Sequence, residues 1–444
     1  MIRADVEGSV SVPNERHEIA GVAVAELARQ YGTPLYVYDA EMIRRRCNDL
    51  TARAGGAPAW DTVRFAQKAC SNLAVLDLVR REGVVVDAVS TGEIHRALAA
   101  GFAPHVAGGL ADPHALPAAQ PIVYTADIFD RESLDTVARL GIHCNCGSTD
   151  MIEQLAERVP GAAITLRVNP GFGHGHSQKT NTGGEGSKHG IWHEDIPEVL
   201  RRAEWAGLAV TGLHMHIGSG ADLGHLAEVA GALERVALEI GRSLTTISAG
   251  GGLPVPYRPG EVHADLGGYV ALWDATRRRL EDTFGHRLRL EIEPGRYLVA
   301  EAGYLVTEVR AVKRQGGRKY LLVDAGFNTL ARPVLYGSYH PMSLCPAGGG
   351  RVAEAGEEVA IGGPLCESGD IFTQEDGGFV TTRSMPPARV GDLVVIEVAG
   401  AYGFVMASNY NSKPLPAEVL VDGGSARLVR ARQTAEDLVR GECV

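Results

Sequence analysis

From residue 63 to residue 293 the chain alternates between short apolar runs and stretches with helical periodicity. The runs fall at 63–68, 84–89, 121–125, 142–146, 162–168, 208–216, 244–249 and 287–293, with Pro294 closing the last. Between most of them lie patterns such as RESLDTVARLG at 131–141 and HLAEVAGALERVALEIG at 225–241, with apolar residues three and four apart. Strands that alternate with helices pair in parallel and bury both faces. Eight such units over about 230 residues fit a closed (β/α)8 barrel. An open doubly wound sheet usually carries its glycine loop after the first strand, whereas here the glycine clusters come late. The expected fold class is therefore α/β, with the barrel over residues 46–303.

After residue 304 the texture changes to short alternating runs such as YLVTEVRAV, KYLLVDA, EEVAIGG and DLVVIEVAG, broken by Gly and Pro. This predicts an all-β domain over 304–444. The segment 1–45 contains TPLYVYD, a strand that precedes the barrel and is expected to join that sheet. A loop at 169–192, rich in Gly and His, is long for a compact domain, and loops of that length usually carry function or are disordered.

Composition excludes several classes. A net charge of −11 argues against nucleic acid as a partner. No apolar run approaches the roughly 18 residues of a membrane span, and MIRADVEGSV lacks the apolar core of a secretory signal. The seven cysteines are scattered and odd in number, which fits a reducing, cytoplasmic protein without a disulfide framework. Cys144 and Cys146 have strand spacing rather than zinc spacing, and His214 and His216 gain no third ligand, so no metal site is expected.

Chemistry in such barrels sits at the C-terminal ends of the strands, with phosphate sites favouring the loops after strands 7 and 8. The seventh run ends in SAGGGL, with Gly250, Gly251 and Gly252; the eighth ends in EIEPGR, with Glu293, Gly295 and Arg296. A glycine triplet alone makes a tight turn. Here it is joined at the same rim by Lys68 from the first run and His216 from the sixth. A lysine, a backbone cradle for phosphate and an acidic residue together suggest pyridoxal 5′-phosphate. Lys68 would supply the Schiff-base amine and Glu293 would hold the pyridine nitrogen.

The order of motifs resembles the diaminopimelate decarboxylases, in the alanine-racemase-like, fold-type III group of pyridoxal-phosphate decarboxylases. The matching blocks include YGTPLYVYD at 31–39, FAQKACSN at 65–72, DAVSTGEIHRALAAG at 87–101 and GHGHSQKTNTGGEGSKHGIW at 173–192. They continue with GLHMHIGSG at 212–220, ISAGGGLPVPY at 247–257 and EIEPGR at 291–296. DAGFNTLARPVLYGSYH at 324–340, GPLCESGD at 363–370 and GAYGFVMASNYNSKPLPAEVL at 400–420 complete the series, which spans nearly the whole chain. The wording is similar to the branch found in proteobacterial enzymes. Cys70 and His189 stand where the family more often has Asn and Phe.

The resemblance implies decarboxylation of meso-2,6-diaminopimelate to L-lysine and CO2, by a homodimer with shared active sites. It implies that Lys68 binds the cofactor, that His216 stacks on its ring and that Ser219 lies near its phosphate. Gly251, Gly252, Gly295 and Arg296 would contact phosphate or cofactor, and Glu293 would partner the pyridinium. Arg296, Arg332 and Tyr336 would grip the substrate carboxylate that is retained. Cys366 would donate the proton, Glu367 would meet the distal amino group, and Tyr402 would touch cofactor and substrate. Cys366 and Glu367 would come from the second subunit.

Overall fold

The computed structural model describes residues 13–51, 60–105, 116, 118–173, 182–216, 218, 223–349 and 356–444. The chain divides into two units. One contains residues 46–254 and 264–295; the other contains residues 1–45, 255–263 and 296–444. The sequence predicts the end of the barrel at 303, whereas the contacts divide the chain at 295 and assign the short segment 255–263 to the second unit.

The first unit is a closed barrel of eight parallel strands. They are β1 (Thr62–Ala66), β2 (Val85–Ala88), β3 (Ile122–Ala126), β4 (His143–Cys146), β5 (Ala163–Asn169), β6 (Ala209–Met215), β7 (Thr246–Ser248) and β8 (Arg289–Ile292). Each lies within or against one of the eight runs read from the sequence. β8 pairs with β1 through Glu291 opposite Thr62 and Ile292 opposite Val63, which closes the ring. β5 pairs directly with β6, and a two-residue strand, Ile191–Trp192, adds to the far end of β5. The connecting helices begin where the sequence supplies caps. Asp130 accepts from the Ser133 amide at 2.7 Å to open Arg131–Leu140, and Gly141 ends that helix in the left-handed region.

Inside the barrel, Arg64 on β1 and Glu291 on β8 form a buried pair at 3.0 Å, and Arg64 also donates to the carbonyls of Val86 and Gln120. Hydrogen bonds to so many partners compensate the desolvation of the guanidinium. Glu291 thus takes Arg64, and Glu293 is paired elsewhere.

The second unit is a nine-stranded sheet arrangement. The strand Leu35–Asp39, from the YGTPLYVYD block, lies inside it. That strand pairs antiparallel with Gly303–Gln315 and parallel with Ala417–Asp422. Alternate residues Leu35, Val37, Val306, Val395, Val419 and Val421 form one core, covered by Val24 and Leu27 of the helix Val24–Tyr31. Each such fully buried side chain contributes roughly 1.5–3 kcal/mol. On the opposite face Tyr36 donates to the Thr329 carbonyl and Tyr38 to Glu418, so both buried phenols are satisfied. Two short helices interrupt this unit, Arg296–Val299 and Arg332–Tyr336. Among the described residues no helix is long and apolar enough to cross a membrane.

Candidate active site

Lys68 does not continue β1. The strand ends at Ala66, and Gln67–Ala69 form one 3-10 turn before Asn72 caps the helix Leu73–Arg81 by accepting from the Ala74 amide at 2.9 Å. The turn buries Gln67 and Ala69 and leaves Lys68 exposed at the rim. Gly295 makes this turn possible: a β-carbon there would lie 3.2 Å from the side chains of both Ala66 and Ala69. Gly295 is therefore first a packing residue, pressed between the ends of β8 and β1.

Because all eight strands run in one direction, the other candidates of this unit share the same rim. Glu293, one residue past β8, is buried; His214 on β6 donates from Nε2 to its Oε2 at 2.7 Å, and Ser248 on β7 donates to its Oε1 at 3.2 Å. Burial alone would raise the Glu293 carboxyl, but the His214 hydrogen bond and charge and then Arg64 outweigh it and hold the group at about 2. The side chain is thus a permanent carboxylate. Two of its roughly four lone-pair directions are used, and the others can accept from a further N–H. His216 lies one residue past β6, where burial, then Lys68 and Arg167, push it well below the ordinary imidazole range, so it is a neutral ring.

The glycines after β7 press against these two residues. A β-carbon on Gly251 would stand 2.5 Å from the Glu293 carbonyl oxygen. Gly252 has φ +107°, and a β-carbon there would meet the Gly218 carbonyl oxygen at 2.5 Å. Only glycine fits at either place, and both leave backbone uncovered at the rim. Ser219 and residues 174–181 of the long loop lie outside the described residues.

Sequence reasoning missed three members of this group. Asp87 on β2 is fully buried; burial, then the neighbouring Glu293, push its carboxyl up to about 8, so near neutral pH it holds a proton while Glu293 does not. Glu93 accepts from the Val89 amide at 2.9 Å and is raised mainly by burial, with the Lys68 charge pulling the other way. His214 was noticed only as a possible metal partner of His216. Among the described residues no group of three or more His, Cys, Asp or Glu side chains could hold a metal ion. The signal for the two carboxyls was their place in the quoted DAVSTGE motif, at a strand end and a helix start.

A cavity of about 880 Å³ opens beside Lys68, lined also by Tyr124, Asp127, Arg167, Lys188 and His189. His189, where the family more often has Phe, bonds through Nδ1 to Asp127 at 2.6 Å, and the Gly190 amide donates to the other Asp127 oxygen at 2.9 Å. Burial would raise the Asp127 carboxyl; His189, Arg167 and the Gly190 amide hold it below its usual range. The returning limb of the 169–192 loop is thereby fastened to the end of β3.

The second unit gathers its own cluster. Arg296 opens one short helix and donates from NH1 to the Tyr257 hydroxyl at 2.9 Å; its guanidinium carbon lies 5.5 Å from the Tyr257 ring centre and 5.4 Å from that of Tyr402. Arg332 opens the other helix, is buried, and lies 4.8 Å over the Tyr257 ring. Tyr336 ends that helix, within electrostatic reach of Arg296. Tyr402 holds φ +57°, a left-handed conformation that is uncommon for a large side chain and often marks a functional position. Tyr257 and His340, which touches Arg332, were not among the sequence candidates.

Cys366 and Glu367 lie exposed on a separate loop. The Cys366 amide donates to Asn411 Oδ1 at 2.8 Å, and buried Asp370 accepts from the Leu365 and Phe327 amides. The thiol and the carboxylate are thus held outward on a fixed backbone.

Comparison with known proteins finds relatives of both sequence and fold. A family model described as the pyridoxal binding domain of pyridoxal-dependent decarboxylases matches residues 41–300. Diaminopimelate decarboxylase of Escherichia coli (strain K12) is 52% identical over 414 residues, covering 93% of this chain and 94% of its own. A crystal structure of diaminopimelate decarboxylase superposes with TM-score 0.86 at 51% identity, covering 94% of this chain and 95% of its own. Diaminopimelate decarboxylase from Helicobacter pylori, complexed with L-lysine, superposes with TM-score 0.78 at 29% identity, covering 94% of this chain and 98% of its own.

Proposed function

We propose, for a chain that belongs to the diaminopimelate decarboxylase family of pyridoxal-dependent enzymes, the removal of CO2 from meso-2,6-diaminopimelate to leave L-lysine. The observation that carries this reading is Glu293: a buried side chain at the barrel rim that stays ionised, beside a glycine cradle that no β-carbon can enter.

These residues fit pyridoxal 5′-phosphate. Lys68 would bind its aldehyde carbon, Glu293 its ring nitrogen, and the backbone at Gly251 and Gly252 its phosphate; Ser219, Arg296 and Tyr402 would complete the set. When bound, the cofactor supplies an electron sink for the charge left on carbon as CO2 departs. Glu293, whose own carboxyl stays ionised down to about pH 2, would accept a hydrogen bond from the protonated ring nitrogen and so favour that proton. His216, held neutral by its surroundings, would offer the ring of the cofactor a flat face without adding a second positive charge. Asp87 and Glu93 both lie within electrostatic reach of Lys68, whose charge pulls their carboxyls down against burial.

Arg296, Arg332 and Tyr336 bind the carboxylate that is kept. The two guanidiniums are close together, and among the described residues no Asp or Glu pairs with either. Cys366 delivers a proton to the carbon that lost CO2, and Glu367 meets the distal ammonium. Both side chains point outward from their own protomer, which supports a homodimer in which each subunit completes the other's site. A reducing cytoplasm is the compartment that goes with this reading.

The test is CO2 release from meso-diaminopimelate, compared with its LL and DD stereoisomers and with ornithine. Preferential turnover of the meso compound is expected. Faster turnover of ornithine would replace the substrate assignment.

A further inference from the structure

Arg332 NH1 lies 2.8 Å from His340 Nε2, and His340 Nδ1 lies 3.0 Å from the Glu397 carbonyl oxygen. A carbonyl can only accept, so Nδ1 carries the proton and Nε2 presents a lone pair. That lone pair is what an arginine N–H requires, so the tautomer is fixed by the backbone. His340 is fully buried; burial and the Arg332 charge keep it neutral. Its support is itself anchored, because the Glu397 carboxylate takes Arg16 and Ser343 at 2.6 Å each. Tyr257 completes the arrangement: its hydroxyl accepts from Arg296, its ring carries Arg332, and His340 meets that ring edge-on at 5.4 Å.

Both arginines are therefore braced by an imidazole and a phenol rather than by a carboxylate. A carboxylate in either place would hold a guanidinium as firmly but would cancel the charge an anionic ligand needs. A neutral imidazole and a phenol fix direction and leave the charge.

We propose that His340 and Tyr257 are positioning residues that aim Arg332 and Arg296 at the retained carboxylate of the substrate while leaving both positive charges available to it. The proposal rests on the carboxylate-binding reading given above for the two arginines.

The experiment is calorimetric titration of the holoenzyme with two ligands: L-lysine, which carries the retained carboxylate, and 1,5-diaminopentane, which lacks it. His340→Asn keeps a donor for the Glu397 carbonyl and removes the acceptor for Arg332. Its affinity for L-lysine should fall about tenfold, and its KM for meso-diaminopimelate should rise by a similar factor with kcat changed by less than about twofold. Binding of 1,5-diaminopentane should not move. His340→Gln, whose Oε1 reaches the Nε2 position, should recover most of the loss. Wild-type affinity for L-lysine in His340→Asn, or equal losses for both ligands, would overturn the proposal. If His340→Asn does not fold, Tyr257→Phe tests the other brace with the same two ligands and the same criteria. Arg332→Ala separates the two levels: if it binds L-lysine as wild type does, the carboxylate reading itself fails, whereas a loss there with none in His340→Asn removes only the brace.

Discussion

His214 Nε2 lies 2.7 Å from Glu293 Oε2, with both side chains buried at the barrel rim. The bond joins β6 to the residue after β8 and reverses the effect of burial on the carboxyl. An ionised group in so enclosed a place is sustained by its neighbours, so its chemistry is open to change from a residue that touches no substrate.

His214→Leu removes the neighbour that does most to keep Glu293 ionised against its burial. The proton affinity of the carboxyl then rises, and the acid limb of the kcat profile should move up by about one pH unit or more. A pH series of initial rates from holoenzyme measures this. A uniform loss of rate with an unmoved limb would mean that His214 only supports the fold.

Asp87 gives a stability prediction of the opposite sign. Its carboxyl titrates at about 8 in the folded chain, against 3.8 for the unperturbed group. Between those values the folded protein holds a proton that the unfolded chain has released, so this group's contribution is full at low pH and is lost as pH rises toward 8. Asp87→Asn does not titrate. The melting temperature of the variant minus that of wild type should therefore grow as pH rises from about 5 to about 8. A difference that stays constant across that range would contradict a proton held by Asp87.

Lys68 is expected to carry the cofactor covalently. Holoenzyme reduced with borohydride should retain the pyridoxyl group through denaturation, and peptide mapping should place it on Lys68. An adduct on Lys179 or Lys188 would remove the assignment.

The outward placement of Cys366 gives a test in mixed dimers. Lys68→Ala and Cys366→Ala homodimers should each be nearly inactive. With free subunit exchange at equal mixing, about half the dimers are mixed, and two-fold symmetry gives each of these one doubly mutated and one intact site. Activity should recover to roughly a quarter of wild type. If each site belongs to a single chain, exchange proves complete and activity stays at the level of the parents.

Much of this site can be read in the sequence because strand direction does the work. Once eight runs alternate with helices, the residues after each run share a rim, so Lys68, His216, the glycine triplet and Glu293 are neighbours before any coordinate is known. The 3-10 turn at Gln67–Ala69 was not legible, since the run from Val63 to Lys68 alternates as a strand would. Nor was the proton on Asp87. Its carboxyl is unremarkable in a motif, and its state follows first from burial and then from Glu293, which is far away in the chain and is brought near by barrel closure. Tyr257 and His340 escaped for another reason. Tyr257 sits in a segment of nine residues that leaves the barrel unit and returns to it, and no shift in composition marks that excursion.

That excursion limits how the chain can be recombined. A graft that exchanges residues 1–45 and 296–444 between two relatives, in order to move a substrate preference, would leave 255–263 behind with the recipient. It would carry Arg332 and Arg296 into the new background and separate both from the phenol on which they are stacked. The portable element is three pieces of chain, and the shortest of them is the one an alignment of domain boundaries would omit.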